Sequence, residues 1–406
     1  MRRLLTVLLA ILMVLTLAGC GQKEEAAAPV EEAPAEKIVI KFAAQGDSTP
    51  ATKDSVDGFN ASQDKYVVEW VDMSNDSGAM KDALKTSLSA GSSDYDVLSM
   101  DVCWAGEFAA AGYIAPIDEM LKANGLKISD FNSGSMAAAT YNAKTYALPF
   151  FPDLGLLFFR KDIVTEDEAA KLAVGDYTWA DLQAMAEKYK GQGGTTEGLM
   201  FQAKQGECLV CNAAEFTAGW TDVENGLVAM KALTDSVGTP ADILNYAEGE
   251  TEAFMQGVSV FARNWPYMDA VGTRTLTADQ VGYAPLPGGS CVGGWLLGLN
   301  KNSANLEGAF EFIKYLAAGD GAVIQATTGT HLPGLNANLS NDKVLAANPM
   351  LSDAGFNKAV STTVSRPVSA DYTAASDAIQ ISVHAYLAGD AELAATVEAV
   401  NTALGK

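Results

Sequence analysis

Hydrophobic residues recur at every second position over Lys37–Ala44 (KIVIKFAA), so Ile38, Ile40 and Phe42 share one face and the segment is predicted to be a strand. Tyr66–Met73 (YVVEWVDM) reads as a second strand and Tyr95–Met100 (YDVLSM) as a short third. Between the first two lies a polar stretch with Pro50 near its start, a fitting helix entry. Met80, Ala83, Leu84 and Leu88 have helical spacing over Met80–Ala90, and Trp104–Ala111 reads as a short helix. This alternation of strand and helix implies a parallel sheet with helices on its faces. The second half continues in the same way. Thr178 and Asp181 form a capping box ahead of Leu182, Met185, Ala186 and Tyr189. Leu306, Ala309, Phe310, Ile313 and Leu316 make an amphipathic helix ended by Gly319. Ile379, Val383, Tyr386 and Leu387 mark another, stopped at Gly389, on which His384 is expected to be a surface or packing residue. No solenoid repeat is present. The chain after residue 36 is therefore α/β throughout, and its length fits two domains at ~150 residues each.

The first residues follow another pattern. Arg2 and Arg3 precede an apolar run from Leu4 to Leu17, broken only by Thr6 and Thr16, that ends in Leu17-Ala18-Gly19-Cys20. A basic start, a short apolar stretch and a small-residue site define a secretory signal. The run is shorter than the ~20 residues a membrane span needs. A cysteine directly after Leu-Ala-Gly resembles the bacterial lipobox, which implies removal of residues 1–19 and a lipid on Cys20; an ordinary signal peptide with an incidental cysteine is the alternative. Residues 21–36 (GQKEEAAAPVEEAPAE) bury too little to fold and read, with Cys20, as a lipidated flexible arm. The protein is thus expected outside the cytoplasm, tethered to the bacterial cell membrane.

Composition narrows the partners. With 50 acidic and 27 basic residues the net charge is −23, which argues against nucleic acid or an anionic membrane surface. Cys103, Cys208, Cys211 and Cys291 follow Cys20, too few for a disulfide-dense scaffold. Cys208-x-x-Cys211 could be a redox pair or half a zinc site, but His331 and His384 are distant in sequence, and buried or incidental cysteines are the simpler reading. No metal or cofactor is expected.

Enzyme signatures are sparse. Two histidines without a Gly-x-Ser-x-Gly elbow make a serine hydrolase a poor fit. Neither a Walker motif nor a Gly-x-Gly-x-x-Gly after a strand is present. A surface glycosidase using Asp101 and Asp153 stays open, because carboxylates are plentiful. More informative are aromatics beside isolated polar residues: Asp101-Val102-Cys103-Trp104 at the end of the third strand, Leu148-Pro149-Phe150-Phe151-Pro152-Asp153, Arg263-Asn264-Trp265-Pro266-Tyr267, Gly293-Gly294-Trp295 and Ser365-Arg366-Pro367. Ligands of open α/β sheets bind at the carboxyl ends of strands. An aromatic ring offers an apolar face to sugar C–H groups, while Asp accepts from hydroxyls and Arg donates to oxygens. Each cluster also has a packing interpretation, Trp104 as core and Arg366 as a surface ion pair among them.

The segments SSDYDVLSMDVCWAGEFAAAGYIAPID, YNAKTYALPFFPDLGLLFFRKD, GLMFQAKQGECLVCNAAEF, AFMQGVSVFARNWPYMDA, VGYAPLPGG, GGWLLGLNKNS, HLPGLNA and SRPVSADYTAASDAIQISVHAYL carry a resemblance that runs over nearly the whole mature chain. It is to the family 1 extracellular solute-binding proteins of ABC importers, of the maltose/trehalose-binding kind. The resemblance implies a two-lobed, periplasmic-binding-protein-like type II fold with discontinuous lobes: residues 37–150 with about 296–340, and about 155–292 with about 341–406. Crossings are expected near Phe150–Gly155 and Gly293–Gly298, around a hinge cleft. By position, Asp101 is the first-lobe carboxylate for sugar hydroxyls, Phe151 stands where relatives often carry Tyr, and Asp153 is a polar neighbour. Trp265 is the second-lobe stacking aromatic with Tyr267 beside it, Gly294 and Trp295 the hinge pair, and Arg366 the arginine from the C-terminal segment. Trp104, Gln45-Gly46-Asp47 and Asn75-Asp76-Ser77 are weaker candidates. The implied role is capture of a di- or oligosaccharide by a monomer, without catalysis, for delivery to the permease subunits. A binding protein for a polyol or glycerol phosphate is the other reading.

Overall fold

A computed structural model describes residues 36–367 and 371–406. The expected signal sequence, Cys20 and all but the end of the arm lie outside them. The chain divides into Met1–Glu36 and Lys37–Lys406, and the architecture here is that of the second unit. Among the described residues no helix is long and apolar enough to cross a membrane.

The strands that carry the architecture are β1 (Ile38–Gln45), β2 (Tyr66–Met73), β3 (Val97–Asp101), β4 (Ala147–Leu154), β5 (Leu156–Arg160), β6 (Glu197–Met200), β7 (Ser259–Asn264), β8 (Val281–Ala284), β9 (Ser290–Leu299) and β10 (Thr363–Val364). A six-stranded sheet has the order β10-β9-β3-β1-β2, with β4 also paired to β9. A four-stranded sheet has the order β8-β5-β7-β6. β1 is parallel to β2 and to β3, as strand–helix alternation requires. β9 is antiparallel to β3 and β4, so the first sheet is mixed where the sequence suggested a parallel one. The physical reason is connectivity: β4 carries the chain out toward the second sheet and β9 brings it back. Two such strands lying side by side must run in opposite directions.

Each sheet organises its own core. In the first, Phe42 of β1 meets Phe150 of β4 edge-on at 5.8 Å and Phe312 at 5.3 Å. Phe312 belongs to the helix Leu306–Ala318, so residues far apart in the chain close this core. Ile38, at the end of β1, stays 39% exposed although it shares the face of the buried Ile40 and Phe42. In the second sheet the period of two is plain along β5. Leu157 and Phe159 enter one cluster with Leu182, Phe216 and Ile379, while Leu156 and Phe158 enter another with Met350 and Phe356. Trp179 stacks on Phe216 at 3.8 Å within the former. The C-terminal helix Tyr372–Ala388 adds Ile379, Val383 and Leu387 to the same cluster. The two cores are built from interleaved stretches of chain, giving two lobes.

One charged pair lies inside the second core. Arg263, 2% exposed, donates from Nε to Glu215 Oε2 at 2.9 Å and from Nη2 to Oε1 at 2.6 Å. Glu215 Oε1 also accepts the backbone N–H of Cys291, at 3.0 Å, so the pair pins the helix Glu207–Phe216 to both β7 and β9. Gly155 passes so close to this carboxylate that any Cβ would overlap it. Burial opposes the arginine's charge, and the facing Glu215 outweighs it, holding the proton more firmly than usual. Removing one partner strands a buried charge. Glu215→Ala is therefore expected to destabilise the fold by about 3–5 kcal/mol in urea unfolding, with Glu215→Gln costing less.

Candidate functional site

The register of three strands assembles the floor of a cleft. Trp295 of β9 sits opposite Asp101 of β3 on one side and opposite Phe151 of β4 on the other. Side chains at paired positions project from the same face of a sheet, so an indole, a phenyl ring and a carboxylate form one row. Directly before the row, Gly294 faces Pro152 and Gly293 faces Asp153. Gly294 has φ +121°, and a Cβ there would come within 2.7 Å of the Phe151 carbonyl oxygen, so the position requires glycine. At Gly293 a Cβ would meet the Trp265 ring at 2.9 Å; the bare backbone is what lets that indole lie against β9.

An adjoining wall grows from the end of β7. Trp265 follows the strand directly, its Nε1–H donating to Glu248 Oε1 at 2.6 Å and its ring packed 4.1 Å from the Arg263 guanidinium. The buried ion pair thus backs the indole and fixes its tilt. Tyr267 donates its hydroxyl to Glu252 Oε1 at 3.0 Å, and Glu252 accepts Ser48 Oγ from the loop after β1 at 2.9 Å.

These walls enclose a cavity of about 310 Å³. Asp101, Phe151, Asp153, Trp265, Tyr267, Gly294, Trp295 and Arg366 all line it, as do Gln45, Gly46, Asp47, Asn75, Asp76 and Ser77. Trp104 does not. It is buried behind the wall, 6.2 Å from Phe108 and edge-on to Trp295 at 5.5 Å, where it supports the floor from below. Asp101 and Arg366, read from the sequence as separate ligand contacts, bind each other. Arg366 Nη1 donates to Asp101 Oδ2 at 2.9 Å and Nη2 to Oδ1 at 2.6 Å. Nη1 also donates to Glu207 Oε1 at 2.9 Å.

The cavity contains groups the sequence did not single out. His331 stacks on Phe151 with ring centroids 4.0 Å apart and 10° between planes, its Nδ1 2.5 Å from Gln325 Oε1. Glu248 and Glu252 lie one helical turn apart, a spacing legible in the sequence, with Tyr246 and Phe254 two residues to either side as the signal that could have flagged them. The charged lining is predominantly acidic: Asp47, Asp76, Asp101, Asp153, Glu207, Glu248 and Glu252 against Lys204 and Arg366. Burial pushes the Asp153 carboxyl well up, with Glu248 adding to the effect, and burial likewise raises Glu252.

Cys103, Cys208, Cys211 and Cys291 are free thiols. Cys208 donates to Glu248 Oε1 at 2.9 Å, and Cys211 and Cys291 are buried in the second core. Cys103 packs against the first. Among the described residues no group of three His, Cys, Asp or Glu side chains is arranged to hold a metal ion.

Residues 45–322 match the family described as "Bacterial extracellular solute-binding protein". The chain belongs to that family. A probable ABC transporter-binding protein of Deinococcus radiodurans is 28% identical over 79% of this chain and 81% of its own. An uncharacterized lipoprotein of Streptomyces antibioticus is 32% identical over 48% of this chain and 41% of its own. Among solved structures, maltose-bound T. maritima MalE3 superposes with a TM-score of 0.80 at 27% identity, covering 91% of this chain and 99% of that one. This solute-binding protein is thus the substrate-binding component of an ABC importer and acts by binding, not by catalysis. The paired-carboxylate glycosidase considered from the sequence falls away, and Asp101 in any case has both oxygens engaged by Arg366.

Burial lowers the His331 pKa from 6.5 to about 4. A depressed folded-state pKa gives stability that is complete above 6.5 and lost as pH falls through 4. The expected loss is roughly 3 kcal/mol. Urea midpoints measured from pH 7 to pH 4 should fall more steeply for the parent than for His331→Gln.

Proposed function

We propose that this solute-binding protein captures a neutral carbohydrate, a disaccharide or a short oligosaccharide, between its lobes and presents it to the permease of an ABC importer. The observation that carries the reading is the Phe151–Trp295–Asp101 row lining one cavity together with Trp265. Flat aromatic faces suit the C–H faces of pyranose rings, and the carboxyls between them suit the hydroxyls. A volume of about 310 Å³ lies at the small end of ligand pockets, about 300–1,000 Å³, which fits a compact ligand. The acidic lining disfavours glycerol phosphate, which calls for Arg and Lys. The maltose in the T. maritima structure agrees with this chemistry.

In this reading Asp101, Phe151, Asp153, Trp265, Tyr267, Gly294, Trp295 and Arg366 contact the ligand or shape its bed, and Trp104 acts through Trp295. Residues 37–150 with about 296–340 form one lobe, and about 155–292 with about 341–406 the other, closing by a bend in β4 and β9. A lipid on Cys20 keeps the monomer beside its transporter. The Leu17-Ala18-Gly19-Cys20 sequence supports this, as does the Streptomyces relative described as a lipoprotein.

A thermal-shift screen of maltose, maltotriose, trehalose and polyols should show stabilisation by a sugar. For the best sugar, Trp265→Ala should weaken calorimetric binding about 30-fold or more, the loss typical of a buried aromatic anchor. Unchanged affinity would remove Trp265 from the site, and a response to polyols alone would replace the sugar. Cys20→Ala, expressed in a bacterium, should shift the protein from the membrane fraction to the soluble extracytoplasmic fraction.

A further inference from the structure

The four cysteines after Cys20 are placed unequally. Cys103 packs against the first core. Cys208 turns to the cavity, where Glu248 takes up its thiol. Cys211 and Cys291 meet inside the second core, 2% and 0% exposed, with their side chains in hydrogen-bond contact.

The backbone accounts for the meeting. Cys211 and Glu215 stand four residues apart on the helix Glu207–Phe216, so they share one face. Glu215 Oε1 accepts the N–H of Cys291 itself, at 3.0 Å. The Cys291 carbonyl oxygen accepts the Gly155 N–H at 2.9 Å, so Cys291 is held from both sides at the start of β9. The thiol that touches the Cys291 sulfur thus sits one helical turn from the carboxylate that grips the Cys291 backbone. Both ends of this contact are fixed by elements the fold already fastens together.

We propose that Cys211 and Cys291 are a disulfide-forming pair, joined by exchange with an external disulfide once the chain has left the cytoplasm. Extracellular proteins work where such bonds form and persist. In the exchange the Cys211 thiolate attacks one sulfur of the external disulfide and expels the other as a thiolate. The Cys291 thiolate then attacks the Cys211 sulfur of the mixed disulfide, the Cys211–Cys291 bond forms, and the second external thiolate leaves. The protons shed by the two cysteines end on the two released thiols. Two protein thiols are oxidised by two electrons, and one disulfide is reduced. In the folded chain the contact with Cys211, and then burial, holds the Cys291 proton more firmly than in a free thiol. Exchange is therefore fastest while the chain is still folding, and the finished bond is sealed in the core. It closes a loop of about 80 residues and ties the helix to β9 beside the Glu215 contact. The inference stands apart from the carbohydrate reading: Cys211 borders the cavity wall, but neither sulfur is assigned to the solute.

The test maps the cysteines of the full chain after export. The protein is expressed in a bacterium whose extracytoplasmic space forms disulfides, alkylated with N-ethylmaleimide while denatured, and digested without reductant. Mass spectrometry should find a peptide pair joined through Cys211 and Cys291, with Cys103 and Cys208 alkylated. Cys208→Ser should keep the cross-link, and Cys291→Ser should lose it, leaving Cys211 alkylated. The parent refolded with oxidised glutathione should melt about 5 °C above the parent refolded with a reductant, while Cys291→Ser should melt alike in both. Should Cys291→Ser fold poorly, the mapping of the parent decides alone. Recovery of Cys211 and Cys291 both alkylated from the exported parent, or a bond from Cys211 to Cys208, would overturn the proposal.

Discussion

The ion pair of Glu215 and Arg263 is the constraint on which the arrangement of the second lobe rests. A charge buried to this degree survives only beside its counter-charge, with every remaining valence satisfied. Meeting that demand brings three elements to one point: the helix that carries Glu215, the strand that carries Arg263, and β9 through the Cys291 N–H. The positions around the pair have little choice of residue. Gly155 must lack a side chain, and Gln202 turns its carbonyl oxygen to the guanidinium at 3.3 Å. The outer face of the same guanidinium backs the Trp265 ring. An interaction that contributes nothing directly to binding thereby sets the tilt of the cleft's main aromatic wall.

From that point the geometry passes to β9. This strand is fastened at its start by Glu215, paired along its length with β4, and paired at its end with β3. Its register decides which side chains meet in the cleft. A slip of one residue would turn Trp295 to the other face of the sheet and bring Leu296 in its place. The two glycines ahead of Trp295 leave the strand bare where Trp265 comes against it. Recognition at this site is therefore a matter of strand pairing first and of side-chain chemistry second.

Much of this was legible in the chain itself. The first three strands follow from the spacing of Ile40, Phe42, Tyr66, Val68 and Val97, and Pro50 directly precedes the helix Ala51–Ser62. Aromatic and polar clusters next to turn residues marked the aromatic part of the cavity lining, because turns are where strands end and ligands approach. The mixed character of the first sheet was not legible, since the direction of β9 depends on where the chain has travelled in the preceding hundred residues and more. Nor was the pairing of Asp101 with Arg366, 265 positions apart. Local pattern carries no signal of a partner that distant. His331 was missed for a similar reason: its role comes from stacking on Phe151, a contact with no imprint on its own neighbourhood. Trp104 shows the converse, a tryptophan three positions from the cavity residue Asp101 in sequence and beneath the cavity wall in space.

β4 and β9 both connect the lobes and floor the cavity, which has a consequence for how such a protein diversifies. A substitution in Phe151 or Trp295 alters the cavity floor and, at the same paired positions, the strands that carry the chain between the sheets. Selection for a new solute cannot act on the floor without also touching the strands that carry the chain between the two sheets. The rim carries less of that coupling, its contact between the two sides being Ser48 with Glu252. The loops around Asp47, Asp76 and Lys204 and the short helices bearing Glu248 and Glu252 touch the cavity without carrying the chain between lobes. Lineages of this fold should therefore change cargo by rewriting the rim while the floor stays nearly still.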